Sequence, residues 1–148
     1  MSDAPNTSTP TGDRVIVAVD GSGHSQDALR EGDRLARALG APLEAIMCWD
    51  SSYLYESYAD IDPARFAAES DELLATTLAQ VFGEDLPEYL TPRLLRGQAA
   101  ARLIEESKNA QLLVVGPRGR GGVLGMILGS VSSALISHAH CSVLVARP

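Results

Sequence analysis

Leu112-Leu113-Val114-Val115 is an unbroken apolar run that stops dead in Gly116-Pro117-Arg118-Gly119-Arg120-Gly121-Gly122, and Gly129-Ser130-Val131-Ser132-Ser133 follows shortly after. The run reads as a buried strand and Ser130 as the start of a helix. Strand, glycine loop and helix in direct succession make a β–α corner, which confines the chain to the α/β class. Glycines allow positive φ and a close approach of backbone to ligand. Successive main-chain N–H groups can then converge on an anion. The helix start adds unpaired amides and the positive end of its dipole. This corner therefore points to a phosphate or nucleotide.

The charge distribution agrees. All 19 acidic residues lie at or before Glu106; Lys108, Arg118, Arg120 and Arg147 then give the acid-free remainder +4, against −11 for the first 106 residues and −7 overall. An anion is tolerated where acids are missing, although an apolar, buried segment would also lack them. A net charge of this sign argues against nucleic-acid binding through a basic surface. The length of 148 residues suits one domain, expected over residues 13–148 behind a disordered Ser/Thr/Pro-rich tail at 1–12. That tail lacks the basic and apolar stretches of a signal peptide, and no apolar run is long enough to cross a bilayer. The expected location is the cytoplasm. Cys48 and Cys141 sit in separate apolar runs without metal-ligand or CxxC spacing, so they read as reduced core thiols.

Along the chain, Arg14 to Val19 is a continuous β-branched strand, followed by the turn Asp20-Gly21-Ser22-Gly23. Ala28, Leu29, Leu35, Ala36 and Leu39 recur at helical spacing, with Ser22 or Ser25 as cap and Gly40 as stop. Leu43 to Trp49 is a second strand. Asp50 to Asp62 is a polar, Tyr-rich connection, read as a surface loop or a lid. Ala64 to Phe82 is helical between Pro63 and Gly83, Thr91 to Leu95 a strand, and Ala99 to Ser107 a helix. Gln111 to Val115, a helix from Ser130 to Ser137, and the strand Ser142 to Ala146 complete the pattern. Such alternation predicts a mainly parallel sheet with helices on both faces and a ligand at the carboxyl ends of its strands. The turn after the first strand and the glycine loop after the fourth share one crevice if those strands are neighbours.

The loop is not a Walker A motif, since the chain's one lysine, Lys108, precedes the strand. GxGxxG is absent as well. The spacing Gly116-x2-Gly119-x9-Gly129-Ser130, with Ile127-Leu128 before it and His138-Ala139-His140-Cys141-Ser142-Val143-Leu144-Val145 after it, resembles the ATP-binding branch of the universal stress protein family. Val17-Ala18-Val19-Asp20-Gly21-Ser22 and Gly97-Gln98-Ala99 are similar to that family's first and third turns. The resemblance runs from Gly12 to Arg147. It implies a Rossmann-like nucleotide-binding α/β fold, a five-stranded parallel sheet ordered 3-2-1-4-5 with helices on both faces. It also implies ATP as ligand, Mg²⁺ with it, and a homodimer paired through the last strand.

By the same resemblance Ala18 and Trp49 flank adenine, the small side chain of Ala18 leaving room for the base. Asp20 lies near the ribose and the metal–phosphate end. Val115, Gly116, Arg118, Gly119, Arg120, Gly121 and Gly122 wrap ribose and phosphates. Ser130, Val131 and Ser132, after Gly129, offer backbone and hydroxyl donors to the terminal phosphates. The chain departs from the family at Trp49, which either stacks on adenine or fills its pocket. Pro117 stands where a serine is usual and removes an N–H donor. His140 and Ser142 replace the usual prolines, and Gln111 replaces an acid.

His24, His138 and His140 have no nucleophile and orienting acid beside them in sequence, and read as cap or surface residues. The implied function is a nucleotide-dependent regulatory module in stress response, with an unknown protein partner and no nucleic acid or membrane. A slow ATP hydrolase, or a dimeric scaffold with an unoccupied pocket, is the alternative.

Overall fold

The computed structural model describes residues 12–50, 62–119 and 128–148. The strands are β1 (Arg14–Val19), β2 (Leu43–Trp49), β3 (Leu90–Arg96), β4 (Ala110–Val115) and β5 (Ser142–Val145). The helices are α1 (Gly23–Leu39), α2 (Pro63–Phe82), α3 (Ala99–Glu106) and α4 (Ser130–His138). One 3-10 turn, Ser107–Asn109, joins α3 to β4. The sheet is wholly parallel with order β3-β2-β1-β4-β5, as the family resemblance implied. The tail expected over 1–12, apart from Gly12, and the Tyr-rich connection, apart from its first and last residues, lie outside the described residues.

Side-chain alternation divides the core in two. Val15, Val17, Val19, Leu43, Ala45, Met47 and Val114 face α1 and α2, meeting Ala28, Leu29, Leu74 and Leu78. Ile16, Ile46, Leu113 and Val115 face α3 and α4, meeting Leu103 and Leu135. Central strands covered on both faces need continuous apolar runs, which is what β1, β2 and β4 supply. Each fully buried Leu, Ile or Val contributes about 1.5–3 kcal/mol.

The helix ends carry their own chemistry. Ser22 caps α1, its side chain accepting from the Ser25 N–H, and Gly40 closes the helix in the left-handed region at φ 63°. Asp62 caps α2 ahead of Pro63. The Gln98 side chain accepts from the Ala101 N–H at the start of α3. Gly129 precedes α4 and has no side chain to offer its first amides. Each of these four helices starts at the carboxyl ends of the strands, so the positive ends of their dipoles gather on one side of the sheet.

The opposite end is held by charge. Arg14 opens β1 almost fully buried (4% exposed) between Glu44 and Glu106. Its Nε donates to the Asn109 carbonyl at 2.9 Å and one Nη to the Glu106 carbonyl at 3.0 Å and the Glu106 carboxylate at 2.9 Å. Arg93 of β3 bridges the same two carboxylates at 2.9 and 2.6 Å. Two cations and two anions thus tie β1, β2 and β3 to the end of α3. Glu106 feels burial, which raises its pKa, but hydrogen bonds and charges from Arg93 and Arg14 outweigh it and hold the carboxyl below its ordinary range.

Candidate functional site

A cavity of about 370 Å³ opens at the carboxyl ends of β1 and β4. This is where strand order reverses, since β1 leads to β2 on one side and pairs with β4 on the other. Ala18, Asp20, Val115, Gly116, Arg118, Gly119, Gly129, Ser130, Val131 and Ser132 all line it. The two corners singled out in the sequence therefore face one hollow. Arg120, Gly121 and Gly122 lie outside the described residues.

The loop is folded tightly against its surroundings. The Gly129 N–H donates to the Pro117 carbonyl at 2.7 Å, so the chain after Pro117 and the chain before α4 are clasped together. A Cβ on Gly116 would lie 2.7 Å from the His24 Cβ and 3.0 Å from the His24 carbonyl oxygen. A Cβ on Gly119 would collide with Asp20 Oδ2. Positive φ is not the reason for glycine here: Gly116, Gly119 and Gly129 all lie outside the left-handed region, unlike Gly21 at φ 86°. Of the two uses of glycine expected from the sequence, close approach applies to these three.

The first turn of α4 supplies donors. Ser133 N–H is bonded to the Gly129 carbonyl at 3.0 Å, so the amides of Ser130, Val131 and Ser132 precede the helix's own acceptors. They line the cavity with no capping side chain before them. The Ser132 hydroxyl is buried and donates to the Gly116 carbonyl at 2.6 Å, which ties α4 to the loop after β4.

Asp20 is fixed in turn. Its Oδ1 accepts from the Ser22 N–H at 2.9 Å and from the Ser25 hydroxyl at 2.5 Å. Among the described residues no group of three His, Cys, Asp or Glu is placed to hold a metal ion. A single carboxylate nevertheless fits Mg²⁺ brought by a polyphosphate, because that ion keeps water and phosphate oxygens as its other ligands.

Trp49 is not on the cavity wall. Its ring stacks on Phe66 of α2 (centroids 6.1 Å apart, 26° between planes), with the Arg96 guanidinium 5.0 Å from its centroid. The reason is parity: Trp49 shares a face with Met47 and Ala45, whereas Ile46 and Cys48 share one with Ala18. Ile46 and Cys48 line the cavity instead, with Ala99 and Leu103 of α3. Sequence reasoning missed these four, Val19 and Ser25, although alternation along β2 carried the signal for Ile46 and Cys48. Burial pushes the Cys48 thiol up to about 11, the nearby Arg102 opposing and Glu106 reinforcing the shift, so it is a neutral thiol at pH 7. His138 and His140 are exposed and off the wall; the His140 N–H donates to the Ser107 hydroxyl at 2.9 Å.

The universal stress protein family model matches residues 12–147, and the chain belongs to that family. A universal stress protein of Mycolicibacterium smegmatis is 39% identical over 140 residues, covering 90% of this chain and 45% of its own length. The chain thus spans about half the length of that relative. The fold is shared with UspA of Lactobacillus plantarum (TM-score 0.72, 24% identity, 94% of this chain and 99% of that one). It is also shared with a universal stress protein of Archaeoglobus fulgidus in complex with dAMP (TM-score 0.67, 19% identity, 90% and 97%). No helix among the described residues is long and apolar enough to cross a membrane.

Proposed function

We propose that the chain binds ATP with Mg²⁺ in this cavity and acts as a nucleotide-dependent regulatory module of the stress response in the cytoplasm. The observation that carries the reading is the pairing of an apolar end with a donor-rich end in one hollow. Ala18, Ile46, Cys48, Ala99 and Leu103 give a surface for a planar base. At the other end stand Ser130, Val131 and Ser132 at the start of α4, Arg118, and Asp20 for the metal. A relative that holds dAMP supports an adenine nucleotide as the class of ligand. Asp20 is the one carboxylate on the described wall and is already hydrogen-bonded within its turn, which favours binding over turnover. A ligand that binds only the folded state raises stability by mass action, about 2.7 kcal/mol at 100 times its Kd. The expected result in a thermal melt is an upward shift with Mg²⁺-ATP that grows with nucleotide concentration. Absence of any shift at saturating nucleotide contradicts the proposal.

The same module is proposed to be a homodimer through β5. Among the described residues that strand pairs only with β4, from Leu112↔Ser142 to Val115↔Val145, and no described strand lies on its outer edge. An open apolar edge is usually covered. Two copies would also make up the length of the M. smegmatis relative, of which this chain spans 45%. Light scattering should give the mass of two chains, and Val143→Pro, which cannot donate along the strand, should give the mass of one. A monomeric parent chain contradicts the dimer.

A further inference from the structure

Ser25 has no part in the expectations drawn from the sequence beyond capping α1, and Ser22 takes that task. Ser25 is instead buried (3% exposed) on the cavity wall, with its hydroxyl closed into a ring with Asp20. The Ser25 Oγ donates to Asp20 Oδ1 at 2.5 Å and accepts the Asp20 N–H at 2.7 Å. Asp20 Oδ1 takes a second donor, the Ser22 N–H at 2.9 Å, and the Ser25 N–H returns to the Ser22 carbonyl at 3.0 Å. Both donors fall on the same carboxylate oxygen. The carboxylate is thereby held in one rotamer, and that rotamer sets Oδ2 against Gly119, where a Cβ would strike it.

We infer that Ser25 is a positioning residue for the metal–phosphate end of the site: it fixes the orientation of Asp20, and recognition of a metal-bound polyphosphate depends on it. The inference rests on the reading of the cavity as a Mg²⁺–nucleotide site. It follows from chemistry that only a hydroxyl performs here, since one atom must donate to a carboxylate and accept from an amide at once. Alanine would leave the Asp20 N–H without that acceptor and take from the carboxylate one of the two donors on Oδ1.

Calorimetric titration with Mg²⁺-ATP, and separately with AMP in the absence of metal, tests it on the whole chain and on Ser25→Ala, Asp20→Ala and the double variant. Loss of a hydrogen bond to a charged group corresponds to roughly tenfold or more in affinity. Ser25→Ala should weaken Mg²⁺-ATP by about that factor and AMP by less than about twofold. Asp20→Ala should weaken Mg²⁺-ATP further, and adding Ser25→Ala to it should change nothing more, because the serine acts through the aspartate. Ser25→Cys keeps the volume but gives a weak donor, and should show the same selective loss; it serves as the test if the alanine variant does not fold. Equal losses for both nucleotides, full additivity with Asp20→Ala, or unchanged Mg²⁺-ATP affinity in Ser25→Cys overturns the inference. A parent chain that binds neither nucleotide overturns the proposed function instead.

Discussion

Gly119→Val is expected to weaken Mg²⁺-ATP binding by at least about 100-fold, a loss of about 2.7 kcal/mol, while the chain still folds. The Cβ at this position meets Asp20 Oδ2, and Asp20 cannot retreat because Ser22 and Ser25 hold its other oxygen. The loop must move instead. Gly119 is exposed at the rim and belongs to neither half of the core, so the cost falls on the cavity rather than on the sheet. Gly129→Ala should be milder, since its Cβ would stand 3.3 Å from the Arg118 Cα and 3.6 Å from the Gly119 nitrogen. Far-ultraviolet circular dichroism checks the fold and calorimetry the affinity. Parent-like affinity in Gly119→Val would remove this loop from the site.

The second large effect concerns stability. Arg14→Leu removes the buried guanidinium that both Glu44 and Glu106 accept from, leaving them with Arg93 alone. Breaking a buried pair from one side costs about 3–5 kcal/mol, and the surviving cation places this variant near the lower figure. For a chain of this size that lowers Tm by roughly 6–12 °C. The effect carries a pH signature. Glu106 is held below its ordinary pKa in the folded state, so its contribution is present above the unfolded value and disappears as pH falls through the folded one. Urea unfolding should therefore show the gap between parent and variant at neutral pH, and the gap should narrow as pH falls from the ordinary carboxylate range through the lower folded-state value of Glu106. A gap that stays constant across that range would mean the loss is one of packing, not of charge.

Much of this was readable from the residues, and the limits have physical causes. Apolar runs and glycine stops located every described strand and helix to within a residue or two, because both faces of β1, β2 and β4 are buried. The strand order came from family resemblance, since alternation alone does not say which strands are neighbours. Family resemblance set Trp49 beside adenine, yet its parity puts it beside Phe66 and Arg96, and the smaller Cys48 stands on the wall. The bond from the Ser132 hydroxyl to the Gly116 carbonyl was not legible, because it joins α4 to the end of β4 only in the folded chain. The cluster of Arg14, Glu44, Arg93 and Glu106 was invisible because its members are scattered along the chain and meet only once β1, β2 and β3 lie side by side.

The central claim is that the amides opening α4, with Asp20 across from them, receive the phosphates of a nucleotide whose base lies against Ala18, Ile46 and Cys48. A crystal structure of the chain grown with Mg²⁺ and a non-hydrolysable ATP analogue tests it most directly. The expected result is phosphate oxygens within hydrogen-bond distance of the Ser130, Val131 and Ser132 nitrogens, and the metal on the side of Asp20. Nucleotide bound elsewhere, or a cavity holding only water at saturating analogue, would contradict it.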